Sequence, residues 1–351
     1  MILKNADIFG EIKDIKIENG KITFVGKTNE EGYDVKEKRV IPGMIDTHIH
    51  GCMGKEALDC DLEEMCDFQA KHGTTSFLPT TVTASFEDML KTTNQRTDFK
   101  GAQILGYHIE GPYISMKYKG AQNPDFIRNP NLEEYKQLNN VKVITIAPEL
   151  EGADEFIKKA DCVVSLGHTD CDYETARHAF DLGAKSLTHC CNAMNGIHHR
   201  RPGPIGAAAM SDNAFIELIC DTVHVHPAMI HILYRTFGAD RIVFISDALA
   251  ATGLPDGMIK SGGLDVYVKD GKATLKDGTI AGSTSTLFQC MRKAVEIGIP
   301  FKDAVTMATK TPARRINVKK GEIKEGYDAD LLILDDKMDI EKIIINGEFY
   351  E

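Results

Sequence analysis

The sequence predicts an α/β fold, a (β/α)8 barrel of the TIM type that carries a small β-sandwich domain built from both chain termini. Short apolar or β-branched runs recur through the middle of the chain with helical spacing between them, which is typical of strand–helix units in series. Both ends of the chain instead carry short apolar runs separated by turn residues. The length of 351 residues fits this division, because a barrel of about 250 residues leaves roughly 100 for a second unit.

The two ends of the chain read as short strands joined by turns. Near the start, Ile15–Ile17 and Ile22–Val25 are apolar-alternating runs joined by a turn that contains Gly20. Near the end, Asp330–Leu334 and Lys342–Ile345 have the same character. We therefore expect the termini to meet in one small β domain that requires both ends of the chain and comprises residues 1–42 plus 314–351.

The middle of the chain, residues 43–313, is expected to form the barrel. Leu62–Lys71, Tyr173–Leu182 and Pro227–Phe237 have helical apolar spacing. A β-hairpin near 264–280 follows the last predicted strand and departs from the barrel pattern. The eight predicted strands are Met44–His50, Thr75–Thr81, Ile104–Glu110, Val141–Ala147, Val163–His168, Ser186–His189, Phe215–Asp221 and Ile242–Asp247.

Composition limits the classes of partner. The formal net charge of −11 argues against nucleic acid, because phosphate backbones require a basic face. No run approaches the about 20 apolar residues that a bilayer span needs, and the polar start lacks the apolar core of a signal peptide. Nine cysteines without CxxC spacing favour reduced thiols over a disulfide framework. We expect a cytoplasmic protein with no membrane and no nucleic-acid partner.

Six polar side chains lie at the ends of five of the predicted strands. Active sites of barrel enzymes lie at the carboxyl ends of the strands, so we expect these side chains to converge. His48 and His50 are two residues apart on one strand and therefore point to the same face, where both can reach one ion. The full set is His48, His50, Glu110, His168, His189 and Asp247.

Two kinds of chemistry are predicted from this set. A glutamate with two histidines, as in Glu110, His168 and His189, leaves an open coordination position for water on zinc or iron(II). Asp247 is predicted to take a proton from the attacking water and pass it on. The alternative for Asp247 is the N-cap of the helix that follows, since aspartate is a favoured capping residue.

The motifs around these residues resemble the amidohydrolase superfamily, with PGMIDTHIHG (Pro42–Gly51) entering the barrel and single histidines at two later strand ends. Within the superfamily the chain is similar to the N-acetylglucosamine-6-phosphate deacetylases over nearly its whole length. Seven further motifs occur in order: HIEGPYIS (His108–Ser115), KGAQNP (Lys119–Pro124), SLGHTD (Ser165–Asp170), THCCNAM (Thr188–Met194), RRPG (Arg200–Gly203), DTVHVHP (Asp221–Pro227) and ISDALAATG (Ile245–Gly253).

The resemblance implies hydrolysis of the acetamide of N-acetyl-D-glucosamine 6-phosphate to D-glucosamine 6-phosphate and acetate. It implies a divalent cofactor, zinc or iron(II), with one or two ions per subunit. Glu110, His168 and His189 would bind the main ion. His48 and His50 would give the capacity for a second.

The resemblance also implies the residues that act on the substrate. Asp247 would be the acid/base, and His224 would bind the substrate and polarise its acetyl carbonyl. Arg200 would hold the phosphate, a contact that in this family can come from the neighbouring subunit of a homodimer. The substrate contacts are completed by Gln122, where other members have histidine, and by Asn192 and Ala193.

Several alternatives stay open at the level of sequence. Arg201 adjoins Arg200, so the phosphate contact can shift by one residue. A deacetylase of a different N-acetyl amino sugar, such as the galactosamine isomer, fits the same motifs. An adenine-type deaminase would have no phosphate for Arg200 to hold. A non-catalytic homologue acting as a binding or scaffold protein should lack the ligands, all of which are present.

Overall fold

Both ends of the chain build one sheet in the computed structural model, which describes all 351 residues. The strands follow the order β22-β21-β20-β5-β1-β2-β3, with β4 paired to β1. The N-terminal β5 pairs with the C-terminal β20 in antiparallel register, Val40 opposite Ile333. The strands are β1 (Ile2–Ile8), β2 (Glu11–Glu18), β3 (Lys21–Gly26), β4 (Tyr33–Asp34), β5 (Arg39–Pro42), β20 (Leu331–Leu334), β21 (Ile340–Ile345) and β22 (Glu348–Tyr350).

Alternation along β20 attaches this sheet to the rest of the molecule. Leu331 and Ile333 point into a core of 11 buried residues that belongs to the small sheet. Leu332 and Leu334 point the other way, into the core of 60 buried residues that surrounds the barrel. One strand therefore serves two cores, and the expected small β domain from both termini is confirmed.

Eight parallel strands form the barrel, as predicted. Six of them end one or two residues before the predicted carboxyl end, so His50, His168, His189 and Asp247 lie just beyond their strands, whereas His48 and Glu110 lie within theirs. Two further two-residue strands, β7 (Gly51–Cys52) and β8 (Lys55–Glu56), pair with each other, and β10 (Gln103–Ile104) pairs with β9. The barrel strands are β6 (Met44–Ile49), β9 (Thr74–Thr81), β11 (Tyr107–Glu110), β12 (Val141–Ile146), β13 (Val163–Leu166), β14 (Ser186–Leu187), β15 (Phe215–Ile219) and β16 (Ile242–Ile245).

The barrel is nearly closed between its first and last strands. The Asp247 N–H donates to the His48 carbonyl over 3.0 Å. The Ser246 N–H and the His48 N–H share Asp46 Oδ1 as acceptor, at 3.3 and 3.2 Å. The buried Asp46 carboxylate thus replaces part of the backbone hydrogen-bond ladder between β6 and β16. The seam brings His48 and Asp247 together at the carboxyl end.

Entry into the barrel depends on a glycine. Gly43 donates its N–H to the Asp330 carbonyl over 2.8 Å, where the small sheet meets β6. A Cβ atom at this position would lie 2.2 Å from Thr75 Oγ1. Any side chain would therefore push β6 away from β9 and displace the two histidines that follow.

Ten helices surround the barrel, and the three helices predicted between strands have the predicted bounds. None of the ten combines the length and apolarity that crossing a bilayer requires. The nine cysteines all have free thiols. The helices are α1 (Leu62–Lys71), α2 (Phe86–Thr93), α3 (Leu132–Tyr135), α4 (Ala153–Lys159), α5 (Tyr173–Leu182), α6 (Gly203–Ala209), α7 (Pro227–Phe237), α8 (Leu287–Glu296), α9 (Phe301–Ala308) and α10 (Lys310–Arg315).

The hairpin after the last barrel strand has three strands and not two. β17 (Gly257–Ser261) pairs with β18 (Leu264–Lys269), and β18 pairs with β19 (Lys272–Thr274). The additional strand β17 is largely exposed, so its sequence lacks the apolar alternation that reveals a half-buried strand.

The return to the small domain follows α10. The predicted boundary between residues 313 and 314 falls inside this helix, and the Arg315 side chain is buried against barrel residues. We therefore propose that the barrel domain extends to Arg315 and that the C-terminal part of the small domain begins after it.

Candidate metal centre and active site

The six strand-end side chains converge at the carboxyl end of the barrel. Glu110 lies at their centre, with Oε1 3.4 Å from His48 Nε2 and Oε2 3.3 Å from His50 Nε2. All six are buried, between 0% and 7% exposed. Their convergence follows from the parallel sheet, in which every strand delivers its last residues to the same rim.

Two groups of three can each hold a metal ion. In the first, Glu110 Oε1 lies 3.2 Å from His168 Nε2 and 2.9 Å from His189 Nε2, and the two imidazole nitrogens are 3.1 Å apart. The second group consists of His48, His50 and Asp247.

The second group is equally compact. Asp247 Oδ1 lies 3.2 Å from His50 Nε2 and 3.5 Å from His48 Nε2, and the two imidazole nitrogens are 3.3 Å apart. The carboxylate of Glu110 contacts histidines of both groups. One cluster of donors can therefore accommodate one ion or two.

The outer nitrogens of three histidines are engaged by backbone carbonyls. His50 Nδ1 donates to Thr80 O over 3.1 Å, and His168 Nδ1 donates to Tyr118 O over 2.8 Å. His189 Nδ1 lies 3.2 Å from its own acceptor, the carbonyl of Asn192. With Nδ1 protonated, the neutral ring presents a bare lone pair on Nε2.

These lone pairs provide a test of whether a cation fits. The Nε2 atoms of His168 and His189 face each other at 3.1 Å, beside a carboxylate oxygen. Such an arrangement is repulsive between neutral acceptors and favourable around a positive ion. Histidine nitrogen and carboxylate oxygen are the donors that zinc and iron(II) accept. The residues present therefore fit a divalent cation.

Burial and charge act in opposite directions on the carboxylates. Burial disfavours the ionised form of Glu110, but the neighbouring His48 and His168 outweigh it and hold the Glu110 pKa well below its usual range. The same balance, with His48 and His50 as partners, lowers the pKa of Asp247. Both side chains are therefore ionised and able to serve as ligands or bases.

A third cluster beneath the site, His48, His108 and Glu217, also has metal-like spacing. Both ring nitrogens of His108 are already engaged, by Thr47 O at 3.0 Å and Thr145 Oγ1 at 2.8 Å. Burial lowers the pKa of His108 to about 3, so the ring is neutral. This cluster is a hydrogen-bonded support and not an ion site.

Sequence reasoning missed part of this support. Glu217 is buried within β15, and its carboxylate accepts hydrogen bonds from His48 and from Arg315 of α10. Burial alone would raise the Glu217 pKa, but the charge of Arg315 and the hydrogen bond from His48 hold it well below its usual range. The available signal was a charged residue in the middle of the apolar run FIELI.

Five of the six side chains, all except His48, line a cavity of about 600 Å³. Asn192 and Ala193 line it, as does His224. His224 Nδ1 lies 2.7 Å from Asp221 Oδ2, whereas its Nε2 is buried and has no hydrogen-bond partner. An unpaired buried nitrogen at a cavity wall is poised for a ligand.

Gln122 also lines the cavity, but both ends of its amide are engaged by protein. Its Nε2 donates to Glu110 Oε2 over 2.5 Å, and its Oε1 accepts from the Thr83 N–H over 2.7 Å. The side chain thus holds Glu110 in place through Oε2, the oxygen that also lies 3.3 Å from His50 Nε2. In this arrangement the Gln122 amide nitrogen is hydrogen-bonded to the Glu110 carboxylate and not to a ligand.

Arg200 is not brought into the cavity of its own chain. It is exposed, and its guanidinium bonds the neighbouring His199 over 2.8 Å. Arg201 is exposed too, and its backbone pairs with His198. The lysines of the cavity wall are Lys117, which pairs with Asp170 at 2.8 Å, and Lys119. Of the predicted substrate contacts, Arg200 alone lies outside.

Comparison with known proteins agrees with the class that the barrel and its nitrogen and oxygen donors define, a metal-dependent hydrolase. The amidohydrolase family model matches residues 39–349. The chain therefore belongs to the amidohydrolase family.

Curated relatives cover nearly the whole chain. The N-acetylglucosamine-6-phosphate deacetylase of Lysinibacillus sphaericus is 35% identical, over 98% of this chain and 94% of that protein. The N-acetylgalactosamine-6-phosphate deacetylase of Escherichia coli O157:H7 is 37% identical, over 95% of this chain and 93% of that one.

Solved structures agree with the sequence comparison. The N-acetylglucosamine-6-phosphate deacetylase of Thermotoga maritima superposes with a TM-score of 0.91 at 34% identity, over 99% of both chains. A mutant of the Mycobacterium smegmatis deacetylase in complex with N-acetyl-D-glucosamine 6-phosphate gives 0.92 at 33% identity, over 99% and 98%. The barrel with a small β domain is thus the fold of these enzymes.

Proposed function

We propose that this protein hydrolyses the acetamide of N-acetyl-D-glucosamine 6-phosphate to D-glucosamine 6-phosphate and acetate. The observation that carries the proposal is the convergence of two three-residue donor groups with an unpaired buried imidazole nitrogen at one cavity. The relatives that match nearly the whole chain act, by name, on phosphorylated N-acetyl amino sugars.

The cofactor in this proposal is zinc or iron(II), as one or two ions per subunit. Glu110, His168 and His189 hold the main ion, and His48 with His50 hold a second. When bound, such an ion polarises a carbonyl oxygen and lowers the pKa of a water molecule from near 16 towards about 7.

Asp247 performs the proton transfers. Its carboxylate is ionised and lies among the donors, so it accepts the proton of the attacking water. The same proton is then delivered to the amide nitrogen, which turns a poor leaving group into an amine. Asp247 Oδ1 lies 3.2 Å from His50 Nε2, so the ability of Asp247 to accept a proton also depends on whether the second donor group holds an ion.

His224 stabilises the negative charge that develops on the carbonyl oxygen. Asp221 accepts a hydrogen bond from Nδ1, so Nε2 donates to the substrate when the ring carries both protons. Burial opposes the charge of Asp221, but the hydrogen bond from His224 lowers its pKa.

The sugar is held by groups around the cavity. The Asn192 side chain and the Ala193 backbone contact it in this proposal, with Gln122 beside them, and Arg200 binds the phosphate. Because Arg200 lies outside the cavity of its own chain, we assign it to the site of the neighbouring subunit in a homodimer. The setting is the cytoplasm, without a membrane or nucleic-acid partner.

A second candidate substrate is N-acetyl-D-galactosamine 6-phosphate, since the Escherichia coli relative named for that sugar is 37% identical. The two sugars differ only in the configuration of one hydroxyl. Relative kcat/KM for the two phosphate esters decides between them. An adenine-type deamination and a purely binding role are not favoured by any of the relatives.

The direct test is acetate release from N-acetyl-D-glucosamine 6-phosphate beside the unphosphorylated sugar, with metal content determined on the same sample. We expect turnover of the phosphate ester alone, lost with a chelator and restored by zinc or iron(II). A metal-loaded protein that releases no acetate from the glucosamine or galactosamine ester would remove the substrate assignment.

A further inference from the structure

The geometry points to Glu217, backed by Arg315, as the positioning pair that sets the orientation and tautomer of His48 in the donor cluster. Neither residue touches the cavity, and both lie beneath it inside the barrel. The inference rests on the proposed metal site, and it identifies the residues that support His48 in the second donor group.

Glu217 divides its two oxygens between two tasks. Oε1 accepts from Arg315 Nη1 over 2.6 Å. Oε2 accepts from His48 Nδ1 over 2.9 Å and from the backbone N–H of His189 over 3.2 Å. One carboxylate oxygen thus connects a histidine of the second donor group to the backbone of a histidine in the first.

Arg315 keeps the Glu217 carboxylate in its ionised form. Its side chain is fully buried, and besides Glu217 it donates to Thr47 Oγ1 over 2.6 Å and to Ser186 Oγ over 3.2 Å. A buried guanidinium requires a charged partner, because an unpaired one costs several kcal/mol. The last turn of α10 therefore supplies a fixed positive charge at the base of the site.

His48 differs from the other histidines of the cluster in its support. His50, His168 and His189 direct their outer nitrogens to carbonyl oxygens, whereas His48 Nδ1 meets a carboxylate. An ionised carboxylate only accepts, so Nδ1 carries the proton and Nε2 presents its lone pair. A carboxylate partner also makes an imidazole a stronger ligand.

The chemistry of an amide explains why Glu217→Gln is informative. The amide has one acceptor and one donor group, whereas Arg315 and His48 both donate to Glu217. One of these contacts must fail, and a donor facing Nδ1 selects the wrong tautomer. Loss of such outer support typically weakens metal affinity by about 10–100-fold.

A second variant separates positioning from folding. Glu217→Met combined with Arg315→Met replaces the whole buried ion pair by apolar side chains, which keeps the packing but leaves no acceptor for His48 Nδ1. Ser186→Ala is the matched control, because it removes one Arg315 contact and leaves the Glu217–His48 hydrogen bond in place.

The experiment is a titration of the metal-free full-length proteins with Zn²⁺ against a chromophoric chelator, with folding checked by circular dichroism. We expect both Glu217 variants to bind the second equivalent at least 10-fold more weakly than the wild type, with a smaller change in the first. Ser186→Ala should stay within about 2-fold for both equivalents.

Several results would overturn the inference. They are wild-type affinity in the folded Glu217 variants, equal weakening of both equivalents, or loss of folding in both, which would make the pair purely structural. A wild type that binds one equivalent, unchanged by His48→Gln, also overturns it. Acetate release by the same wild-type sample separates any of these from failure of the proposed function.

Discussion

Three of the converging residues leave their strands in a left-handed backbone conformation. The φ angles are 46° at His168, 26° at His189 and 49° at Asp247. For residues with a side chain this costs on the order of 1–3 kcal/mol each, and it persists only where the surroundings enforce it. Here the turn directs each side chain inward, so the site is positioned at the expense of local stability.

The pair His224 and Asp221 gives a prediction at this scale. His224→Gln removes the proposed donor to the carbonyl oxygen, and we expect kcat to fall by about 10²–10³-fold. Asp221→Asn keeps the ring but weakens the hydrogen bond that orients it, so the loss of kcat should be smaller. Steady-state kinetics on the phosphate ester measure both.

Metal content is the control for these two variants, since neither residue belongs to the donor groups. It should match the wild type in both. Unchanged kcat in a metal-loaded His224→Gln protein would remove His224 from the chemistry and leave it as a cavity wall.

The site residues that could be predicted from the sequence are those that lie at the carboxyl ends of parallel strands. His168 and Asp247 were found because each closes an apolar strand, and parallel strands deliver their ends to one rim. Glu217 and Arg315 were not found, because they are 98 positions apart and meet only when α10 packs under the barrel. Arg200 was predicted by resemblance, and its own chain does not bring it to the cavity.

At the scale of elements, the three-stranded hairpin β17–β19 and the segment after it form one wall of the cavity. The lining includes Ser261 and Gly262 from the first turn and Thr279–Gly282 from the return. Glu56 fastens this wall to the barrel, accepting from the Gly262 N–H over 3.0 Å and from the Ser261 hydroxyl. The substrate cavity therefore depends on a contact more than 200 residues apart in sequence.

Glu56→Ala should loosen this wall. We expect KM for the phosphate ester to rise several-fold with a smaller change in kcat, because the donor groups are untouched, and protease cleavage of the hairpin to accelerate. Lys260→Ala is the matched control, since its partner Asp265 lies within the hairpin. A KM equal in both variants would mean that Glu56 does not anchor the wall.

The hairpin also shows which elements cannot be predicted from the pattern of apolar residues in the sequence. The barrel strands are apolar because they are buried on both faces, so eight of them could be recognised. β17 has little buried surface and no apolar alternation, and its pairing with β18 is decided by the tight Gly262-Gly263 turn. Elements without a core contact leave little trace in the sequence.

The small sheet contains a buried carboxylate whose ionisation makes the free energy of unfolding depend on pH. Asp14, 1% exposed, accepts from Lys4 Nζ at 2.8 Å and from the N–H groups of Asn5 and Thr28 at 3.0 and 2.8 Å. Burial opposes its charge, but these three donors lower the pKa of Asp14 to about 2.

A lowered carboxyl pKa stabilises the fold above the unfolded value near 4, and the gain disappears as pH falls towards 2. We expect Asp14→Asn to lower the free energy of unfolding by about 2 kcal/mol at pH 7 and by about half as much at pH 3. Melting temperatures from circular dichroism at both pH values test this, with exposed Glu11→Gln as control. An equal deficit at both would contradict the assignment.

At the scale of the whole molecule, the arginine proposed to bind the phosphate, Arg200, lies outside the cavity of its own chain. The cavity wall has two lysines and no arginine, and Lys117 is already paired with Asp170. Arg200 is exposed on a loop beside Ile197, whose side chain is 53% exposed. An exposed apolar residue next to an unused arginine is consistent with a site completed across a subunit interface.

Subunit complementation tests this arrangement. Arg200→Ala and Asp247→Asn should each be nearly inactive alone on the phosphate ester. In a heterodimer of the two, the Arg200→Ala chain keeps its own Asp247 and receives the arginine of its partner. We expect one working site of two, hence about half of the wild-type activity per dimer, measured on heterodimers purified through two different tags.

The reverse pairing supplies the control. A heterodimer of wild type with the double variant Arg200→Ala/Asp247→Asn contains the same substitutions but leaves neither site complete if arginine crosses the interface. It should be inactive under that arrangement and half-active if Arg200 serves its own chain. Arg201→Ala on its own fixes the register: an inactive Arg201→Ala homodimer beside an active Arg200→Ala homodimer would transfer the phosphate contact from Arg200 to its neighbour.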